Sequence, residues 1–313
     1  MSHGFQYFEQ MSRQSQTALY LYIDIETIPS QDPAALEAIR AKHVVADLDL
    51  DRVEADKRLK DPEKVAEDLE RKRAKAISDH AAAVAKSEAD IDAEWRKTAL
   101  DASTGQIVCA SAAIADLEVH CIWASDLSEE AERAMLQGFF DGLRGLLREH
   151  AAEAAMASLD EQGRNDSEAI KLEVQRHRHV PVIVAHHAGF DVRYIWQRAV
   201  ILGVTPPSWW PIDARPWDQD RIQDTMVMWA GQGNRIGLDR LCRALGLPGK
   251  TGMDGSQVWD LVQAGRIDDV VSYCDDDVRR LRSVHRRLIG LPVLEIDAIE
   301  VSVAGDEGER EAA

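Results

Sequence analysis

Two carboxylates lie two residues apart at the end of an apolar run near the start of the chain. The segment ALYLYIDIETIPS has the alternation of a β-strand, which points Asp24 and Glu26 to the same face. They would lie roughly 6.6 Å apart along the strand, and two buried like charges drive one of the groups to take up a proton. A divalent cation such as Mg²⁺ removes this conflict, because hard cations prefer carboxylate oxygens. The pair therefore predicts a metal site if further acids join it.

Two later segments offer such acids. Asp191, in AHHAGFDVRYI, follows an apolar run and opens a helix, although an acid at this position could equally serve only the helix dipole. Tyr273 and Asp277, in SYCDDDV, are four residues apart, so a helix places them on one face. A solvated acidic patch would account for Asp275 and Asp276, but it leaves the tyrosine one turn before Asp277 unexplained.

These residues need a scaffold, and the alternation of strands and helices predicts an α/β domain with a mixed sheet. We expect strands at 17–28, 107–114, 118–125, 181–188 and 221–229, the last one continuing as strand or passing into helix. We expect helices at 128–150, 190–203, 237–247, 256–265 and 266–290. The acids stand at or just beyond strand ends, which is where sheets of this kind place their sites.

Residues 33–98 interrupt the alternation. They are rich in Ala, Glu, Lys, Arg and Asp, and Asp61-Pro62 divides them into two predicted helices. A solvated helical insertion is one interpretation. A clamp over substrate or a dimer contact is the other.

The net charge of -18 argues against nucleic-acid binding when it is taken alone, because phosphate contacts need positive charge. Its distribution weakens that objection. Residues 178–290 hold 15 Lys and Arg against 13 Asp and Glu, whereas 295–313 hold seven acids and one Arg. We expect these last residues to form a disordered tail.

The composition and the cysteine spacing predict the cellular compartment and the nature of the N-terminal residues. Residues 1–16 are interpreted as an N-terminal extension without the features of a signal peptide, and no apolar run is long enough to span a membrane. The four cysteines form no CxxC pair, which predicts free core thiols in a reducing cytoplasm and argues against a zinc site. We therefore expect a cytoplasmic protein.

Three motifs in order resemble those of the DEDD superfamily of 3′→5′ exonucleases, in its tyrosine-bearing subclass. They are DIE at 24–26, HAGFD at 187–191 and YCDDD at 273–277. Residues 223–288 look most like the stand-alone exonucleases related to the proofreading domain of family B DNA polymerases, through DTMVMW, GLDRLCRALGLPGK, DGSQVWDL and YCDDDV. The resemblance covers most of residues 17–290, which we interpret as the exonuclease domain.

The resemblance implies a ribonuclease H-like fold, with a mixed five-stranded sheet flanked by helices and the helical insertion after the first strand. It also implies hydrolysis of a terminal phosphodiester with two Mg²⁺ or Mn²⁺ ions. Asp24 would bridge both ions, Glu26 and Asp277 would complete the site of the ion that activates the attacking water, and Asp191 would support the second ion. Tyr273 would position the water.

Three further residues are implied to bind substrate: Thr27, His187 and Phe190. Many relatives have asparagine where this chain has His187, so substrate preference is open at that position. Asp224 is expected to orient the site. Trp209 and Trp210 would stack on a base or cap the core. The arginines of the last helix would contact phosphate or pair with acids, and they are Arg279, Arg280, Arg282, Arg286 and Arg287.

The leading hypothesis is a metal-dependent exonuclease that acts on the 3′ ends of single-stranded DNA. An RNA-trimming exonuclease is the alternative with the same fold, since contacts to the 2′-OH would separate the two. A non-catalytic nucleic-acid or protein-binding module, or a scaffold that acts through 33–98, belongs to another class. The presence of all four acids and the tyrosine argues against the module. We expect a replication, repair or helicase partner to deliver DNA, no membrane contact, and no particular oligomeric state.

Overall fold

The computed structural model describes residues 18–161, 167–176, 180–215, 218–250 and 252–294. The N-terminal extension at 1–16 and the acidic tail at 295–313, both predicted above, lie outside these residues. The described chain divides into two compact units. The smaller is Pro29–Gly105, and the larger takes the described residues up to Ile28 and from Gln106 onward. The 17–290 span expected for the exonuclease domain includes residues of both units, and its action as one domain stays a prediction.

The sheet of the larger unit has five strands among the described residues. They are β1 (Tyr20–Ile28), β2 (Gln106–Ile114), β3 (His120–Trp123), β4 (Val182–Ala185) and β5 (Ile222–Asp224), in the order β3-β2-β1-β4-β5. The β1–β2 and β2–β3 pairs are antiparallel, while β1–β4 and β4–β5 are parallel. This mixed sheet, flanked by helices, confirms the α/β class and the ribonuclease H-like fold.

The smaller unit contains the two helices expected within 33–98, namely α1 (Pro33–Arg40) and α2 (Pro62–Arg96). Each begins with a proline that an aspartate precedes. The carboxylate of Asp32 accepts a hydrogen bond from the N–H of Ala34, and that of Asp61 accepts one from Glu63. Proline has no N–H to leave unsatisfied in the first turn, so the Asp-Pro pair is a strong start signal for a helix.

The helices of the larger unit follow the expected alternation, with shifted ends. They are α3 (Glu129–Glu161), α4 (Ser167–Arg176), α5 (Ala188–Leu202), α6 (Thr225–Ala230), α7 (Leu238–Ala244), α8 (Val258–Gln263) and α9 (Ile267–Leu288). The helix expected at 128–150 continues to 161. The strand expected at 181–188 ends at Ala185, because the chain turns at His186 and His187. None of the described helices is long and apolar enough to cross a membrane.

Helix α9 covers the face of β1 that carries the tyrosines. Tyr20 and Tyr22 pack with Val278 and Leu281 of that helix in one buried cluster. His285 joins them: the hydroxyl of Tyr22 lies 3.1 Å from its Nδ1, and its Nε2 donates to Gln223 at 2.6 Å. Because Asp24 and Glu26 share this face of β1, the packing of α9 brings its own polar residues over both carboxylates.

Candidate active site

Four carboxylates from three elements converge at one end of the sheet. Asp24 and Glu26 come from β1, Asp191 from the first turn of α5, and Asp277 from α9. Asp24 is half-buried and the other three are buried. The negative charge of Asp277 acts on each of the first three, and that of Asp24 acts on Glu26 and Asp191. The structure therefore brings together the four acids expected from the sequence, while their catalytic roles stay a prediction.

The convergence shifts the protonation of these groups. Burial raises the pKa of Asp24 to about 8, and the charge of Asp277 adds to the rise. Burial also raises the pKa of Glu26 and of Asp191 well above the usual range, with Asp24 as the next cause for both. Acids in this position keep their protons at neutral pH unless positive charge enters the site.

The same carboxylates fit a hard divalent cation. The buried Oδ2 of Asp191 has no hydrogen-bond donor among the described residues, and an unsatisfied buried carboxylate oxygen is costly. Carboxylate oxygens at raised pKa are the ligands that a Mg²⁺ or Mn²⁺ ion would both bind and neutralise. Asp24 and Glu26 also have ligand atoms within 4.8 Å of each other and of Cys274.

Lys250 is a member of the site that the sequence did not predict. Its Nζ donates to Asp277 and, at 2.5 Å, to the hydroxyl of Tyr273, and it lies 4.4 Å from the centre of the tyrosine ring. The residue lies in the segment after α7, where no periodic pattern marks it. The only signal was a single lysine in a Gly- and Pro-containing segment, since the other Lys and Arg residues of 178–290 are all arginines.

Tyr273 is held as a neutral phenol. Burial, followed by the charges of Asp277 and Glu26, raises the pKa of Tyr273 above its usual value near 10. Its hydroxyl accepts from Lys250, whose Nζ also donates to Asp277, one turn further along α9. A phenol in this state can orient a neighbouring oxygen by hydrogen bonding, but it is not a general base at neutral pH.

The turn between β4 and α5 is fixed by a network of polar contacts. Asp224 caps α6 by accepting from the N–H groups of Met226 and Val227, and it also accepts from the N–H of His187 at 3.1 Å. His186 bridges Thr225 and the carbonyl of Ile236. Asp224 thus holds the start of the helix that carries the third acid, in line with the orienting role expected from the sequence.

The three residues expected to bind substrate lie beside the acids. Thr27 is half-buried at the end of β1, just past a register shift that follows Glu26. The rings of His187 and Phe190 stack, with centroids 6.0 Å apart and planes 13° apart. His187 also lines a cavity of about 340 Å³ together with Met226, Asn234 and Arg235, among other residues. Their contact with substrate stays a prediction.

His187 adopts a left-handed backbone conformation, with φ 78° and ψ 46°. Asparagine tolerates this region well and β-branched residues do not, which explains in physical terms why relatives can carry asparagine here. We expect His187→Asn to keep the free energy of unfolding within about 0.5 kcal/mol, and His187→Val to lower it by roughly 1–3 kcal/mol. Urea denaturation of the three proteins measures both, and equal stability of His187→Val would contradict the strain.

Two of the alternatives that the sequence left open are resolved in favour of structural roles. Trp210 is buried, donates to the carbonyl of Val192 and packs on Phe140, so it belongs to the core and does not stack on a base.

Four of the five arginines of α9 are engaged with other parts of the protein. Arg279 and Arg280 pair with Asp276, Arg282 donates to backbone carbonyls, and Arg286 pairs with Asp116. Arg287 is exposed.

The structure combines a ribonuclease H-like sheet with carboxylates on β1, on the helix after β4 and on the last helix. Residues 145–288 match the model of a family described as predicted 3′-5′ exonuclease related to the exonuclease domain of PolB. The match confirms the resemblance found in the motifs. The matched segment contains Asp191, Lys250, Tyr273 and Asp277, and it begins after β1. No curated protein matches the chain.

Proposed function

We propose that this protein is a metal-dependent 3′→5′ exonuclease that removes nucleotides from the 3′ ends of single-stranded DNA. The observation that carries the proposal is the convergence of four carboxylates, three of them with raised pKa, around a tyrosine and a lysine. A fold needs no such cluster for its stability, and buried like charges oppose folding. The cluster is best explained as a site that positive charge completes.

The carboxylates would divide between two ion positions. Asp24 would contribute to both, with Glu26 and Asp277 on one side and Asp191 on the other. Two divalent cations about 3.5–4 Å apart stabilise charge on the attacking and leaving oxygens of a phosphodiester. The unpartnered Oδ2 of Asp191 and the raised pKa of Asp24 support the binding of positive charge at these carboxylates.

The remaining side chains position the reactants. Tyr273, kept neutral by its surroundings, would donate a hydrogen bond that orients the attacking water. Lys250 would fix the tyrosine hydroxyl and place positive charge beside the phosphate. The stacked rings of His187 and Phe190 offer a flat apolar surface beside Asp191 on which a terminal base could lie.

The test is a time course on 5′-labelled single-stranded DNA and on RNA of the same sequence, in Mg²⁺, in Mn²⁺ and in EDTA. We expect a ladder that shortens from the 3′ end of DNA and that disappears in EDTA. Faster shortening of RNA would favour the exoribonuclease. Binding of DNA without turnover in either metal would favour the non-catalytic module.

A second expectation concerns stability. The folded pKa of Asp24, about 8, lies above its unfolded value, so the group stabilises the fold at pH below about 4 and loses this contribution as pH rises toward 8. Bound Mg²⁺ opposes the loss. We therefore expect Mg²⁺ to raise the melting temperature more at pH 8 than at pH 6.5, relative to EDTA.

Thermal unfolding at the two pH values measures this effect. Burial lowers the pKa of His285 to about 3, so this histidine reduces the stability of the fold only when the pH falls below the ordinary histidine pKa near 6.5. The comparison stays at or above pH 6.5 so that His285 does not contribute to it. An increase in melting temperature that is equal at both pH values would contradict the assignment of the ion to these carboxylates.

A further inference from the structure

A cavity lies between the turn before α5, the start of α6 and the loop that precedes α7. Its volume is about 340 Å³, within the range of roughly 300–1,000 Å³ that is typical of pockets for small ligands. Apolar side chains of Ile222, Met226 and Val227 line it, together with the polar side chains of Asn234 and Arg235. None of the four carboxylates of the candidate active site lines it. The cavity is therefore a feature separate from the cluster of acids.

The cavity borders the start of α5, the helix that carries Asp191. His187 and Gly189 line it, and Gly189 precedes Asp191 by two residues, a rise of roughly 3 Å along the helix. His187 also forms the stacked pair with Phe190. The same histidine thus borders both the cavity and the flat surface on which a terminal base would lie.

The wall of the cavity is held in place by hydrogen bonds within the protein. One oxygen of Asp224, Oδ1, accepts from the backbone N–H groups of His187, Met226 and Val227, and all three residues line the cavity. In the loop before α7, Nδ2 of Asn234 donates to the carbonyl of the last residue of α6 at 3.0 Å. A ligand that enters a preformed cavity does not have to order its wall, which favours binding.

The charge at the cavity favours an anionic ligand. Arg215 and Arg235 line it, and among the described lining residues the only carboxylate is that of Asp224, whose Oδ1 already accepts from three N–H groups. Arg235 is exposed, and its side chain has no hydrogen-bond or ion-pair partner within the described part of the chain. By contrast, Arg221 and Arg243 pair with acids. In a chain with a net charge of -18, an unpaired arginine beside an apolar cavity suits a ligand that combines a ring with a phosphate.

We propose that this cavity binds the nucleotide next to the terminal one, with the base on the apolar side chains and a phosphate of the strand at Arg235. The inference rests on the proposed exonuclease function. The nucleotide in the cavity is not the one that is removed, because none of the four carboxylates lines the cavity. A terminal nucleotide has a neighbour only on its 5′ side, so the second nucleotide belongs to the strand that remains. Its base must leave a duplex to enter the cavity, which makes an unpaired 3′ end the substrate.

Fluorescence anisotropy of 5′-labelled single-stranded DNA with the full chain in EDTA measures binding without hydrolysis. A strand that lacks the base of the second nucleotide from its 3′ end should bind at least about 5-fold more weakly than the intact strand, because the stacking of that base is lost. A strand that lacks a base near its 5′ end should bind as the intact strand does. Equal affinities of the two abasic strands would overturn the proposal.

Arg235→Gln should weaken binding of the intact strand by about 5–20-fold and lower the slope of log Kd against log salt by about 1. Arg287→Gln is the matched control, because Arg287 is also an exposed arginine and lies ten residues beyond Asp277 on α9, roughly 15 Å along the helix. Its effect should stay below about 2-fold, since salt at 0.1 M screens exposed charges over about 10 Å. An equal loss of affinity in both variants would overturn the contact at Arg235.

Gly189→Leu tests the cavity without a change of charge. Gly189 is exposed, and a Cβ at this position would meet no atom within 4 Å, so the fold accommodates a side chain there. Because the leucine narrows the cavity, the intact strand and the strand without the second base should bind this variant with the same affinity. An intact strand that keeps its full advantage in Gly189→Leu would contradict the proposal.

Two further outcomes separate the alternatives. A deoxynucleoside monophosphate that competes with the strand at equal affinity would make the cavity a site for free nucleotide and overturn its role in holding the strand. Binding that depends on the second base and on Arg235, in a protein that degrades neither DNA nor RNA with Mg²⁺ or Mn²⁺, would support the cavity site while the proposed exonuclease fails.

Discussion

Asp24→Asn is expected to reduce the rate of 3′-end hydrolysis by at least about 10³-fold, and to make the protein without divalent cations more stable. The rate falls because Asp24 is the one carboxylate that both ion positions would share. Asparagine keeps the size of the side chain and removes the charge. The loss therefore reports on charge and ligation more than on packing.

The stability should rise because the wild-type carboxylate is disfavoured where it lies. Burial and the charge of Asp277 raise the pKa of Asp24 to about 8, and each tenfold change in an ionisation constant corresponds to about 1.4 kcal/mol. We expect the free energy of unfolding in EDTA at pH 8 to increase by about 1–3 kcal/mol in the variant. Opposite changes in activity and stability are typical of residues kept for function.

Single-turnover rates on labelled DNA and urea denaturation in EDTA measure the two effects. Asp269→Asn is the matched control, because Asp269 is an exposed acid of α9 that pairs with Arg266. Its rate should stay near that of the wild type. If Asp24→Asn retained more than about a tenth of the wild-type rate, the carboxylate cluster would not be the hydrolytic site.

The acids could be found from the sequence because their signals are local. Alternation along β1 places Asp24 and Glu26 on one face, and a spacing of four on α9 aligns Tyr273 with Asp277. Each pattern depends on a single strand or helix, and it still holds when the predicted first or last residue of that element is wrong. The strand expected at 181–188 ran three residues too far at its C-terminal end, yet Asp191 still lies in the first turn of the next helix.

The residues that were missed depend on contacts between elements. Cys109, Cys121 and Cys274 are scattered along the chain, and only the register of three strands with the approach of α9 places them on the face of β1 that carries the acids. Trp210 could not be assigned to core or surface because its partner Phe140 lies far away in the sequence, on α3.

The position of Lys250 also depends on a contact between elements, because its backbone approaches the side chain of Asp239 on α7. The N–H of Lys250 donates to Asp239 Oδ1 at 2.7 Å. A Cβ on the preceding residue, Gly249, would lie 2.5 Å from the same oxygen. An alanine at 249 would therefore displace the Asp239 carboxylate that holds the backbone N–H of Lys250.

Lys250→Met is expected to lower the maximal rate of hydrolysis by about 10²-fold, with little change in the KM for DNA. Methionine keeps an unbranched stem of similar length and removes the charge. The variant loses the donor that fixes the hydroxyl of Tyr273 and the positive charge beside the phosphate, while Arg280 still pairs with Asp277. The fold should persist, because the ammonium group is partly exposed and the apolar stem is retained.

Steady-state kinetics and Mg²⁺ titrations distinguish this role from that of a counter-ion. A lysine that only neutralises the acids before metal enters would, when replaced, leave the maximal rate unchanged and lower the Mg²⁺ concentration needed for activity. Gly249→Ala supplies an independent comparison, since it keeps the lysine but displaces the Asp239 carboxylate that accepts from the lysine's backbone N–H. A loss of rate in both variants would identify the position of the ammonium group, and not only its charge, as the property that hydrolysis requires.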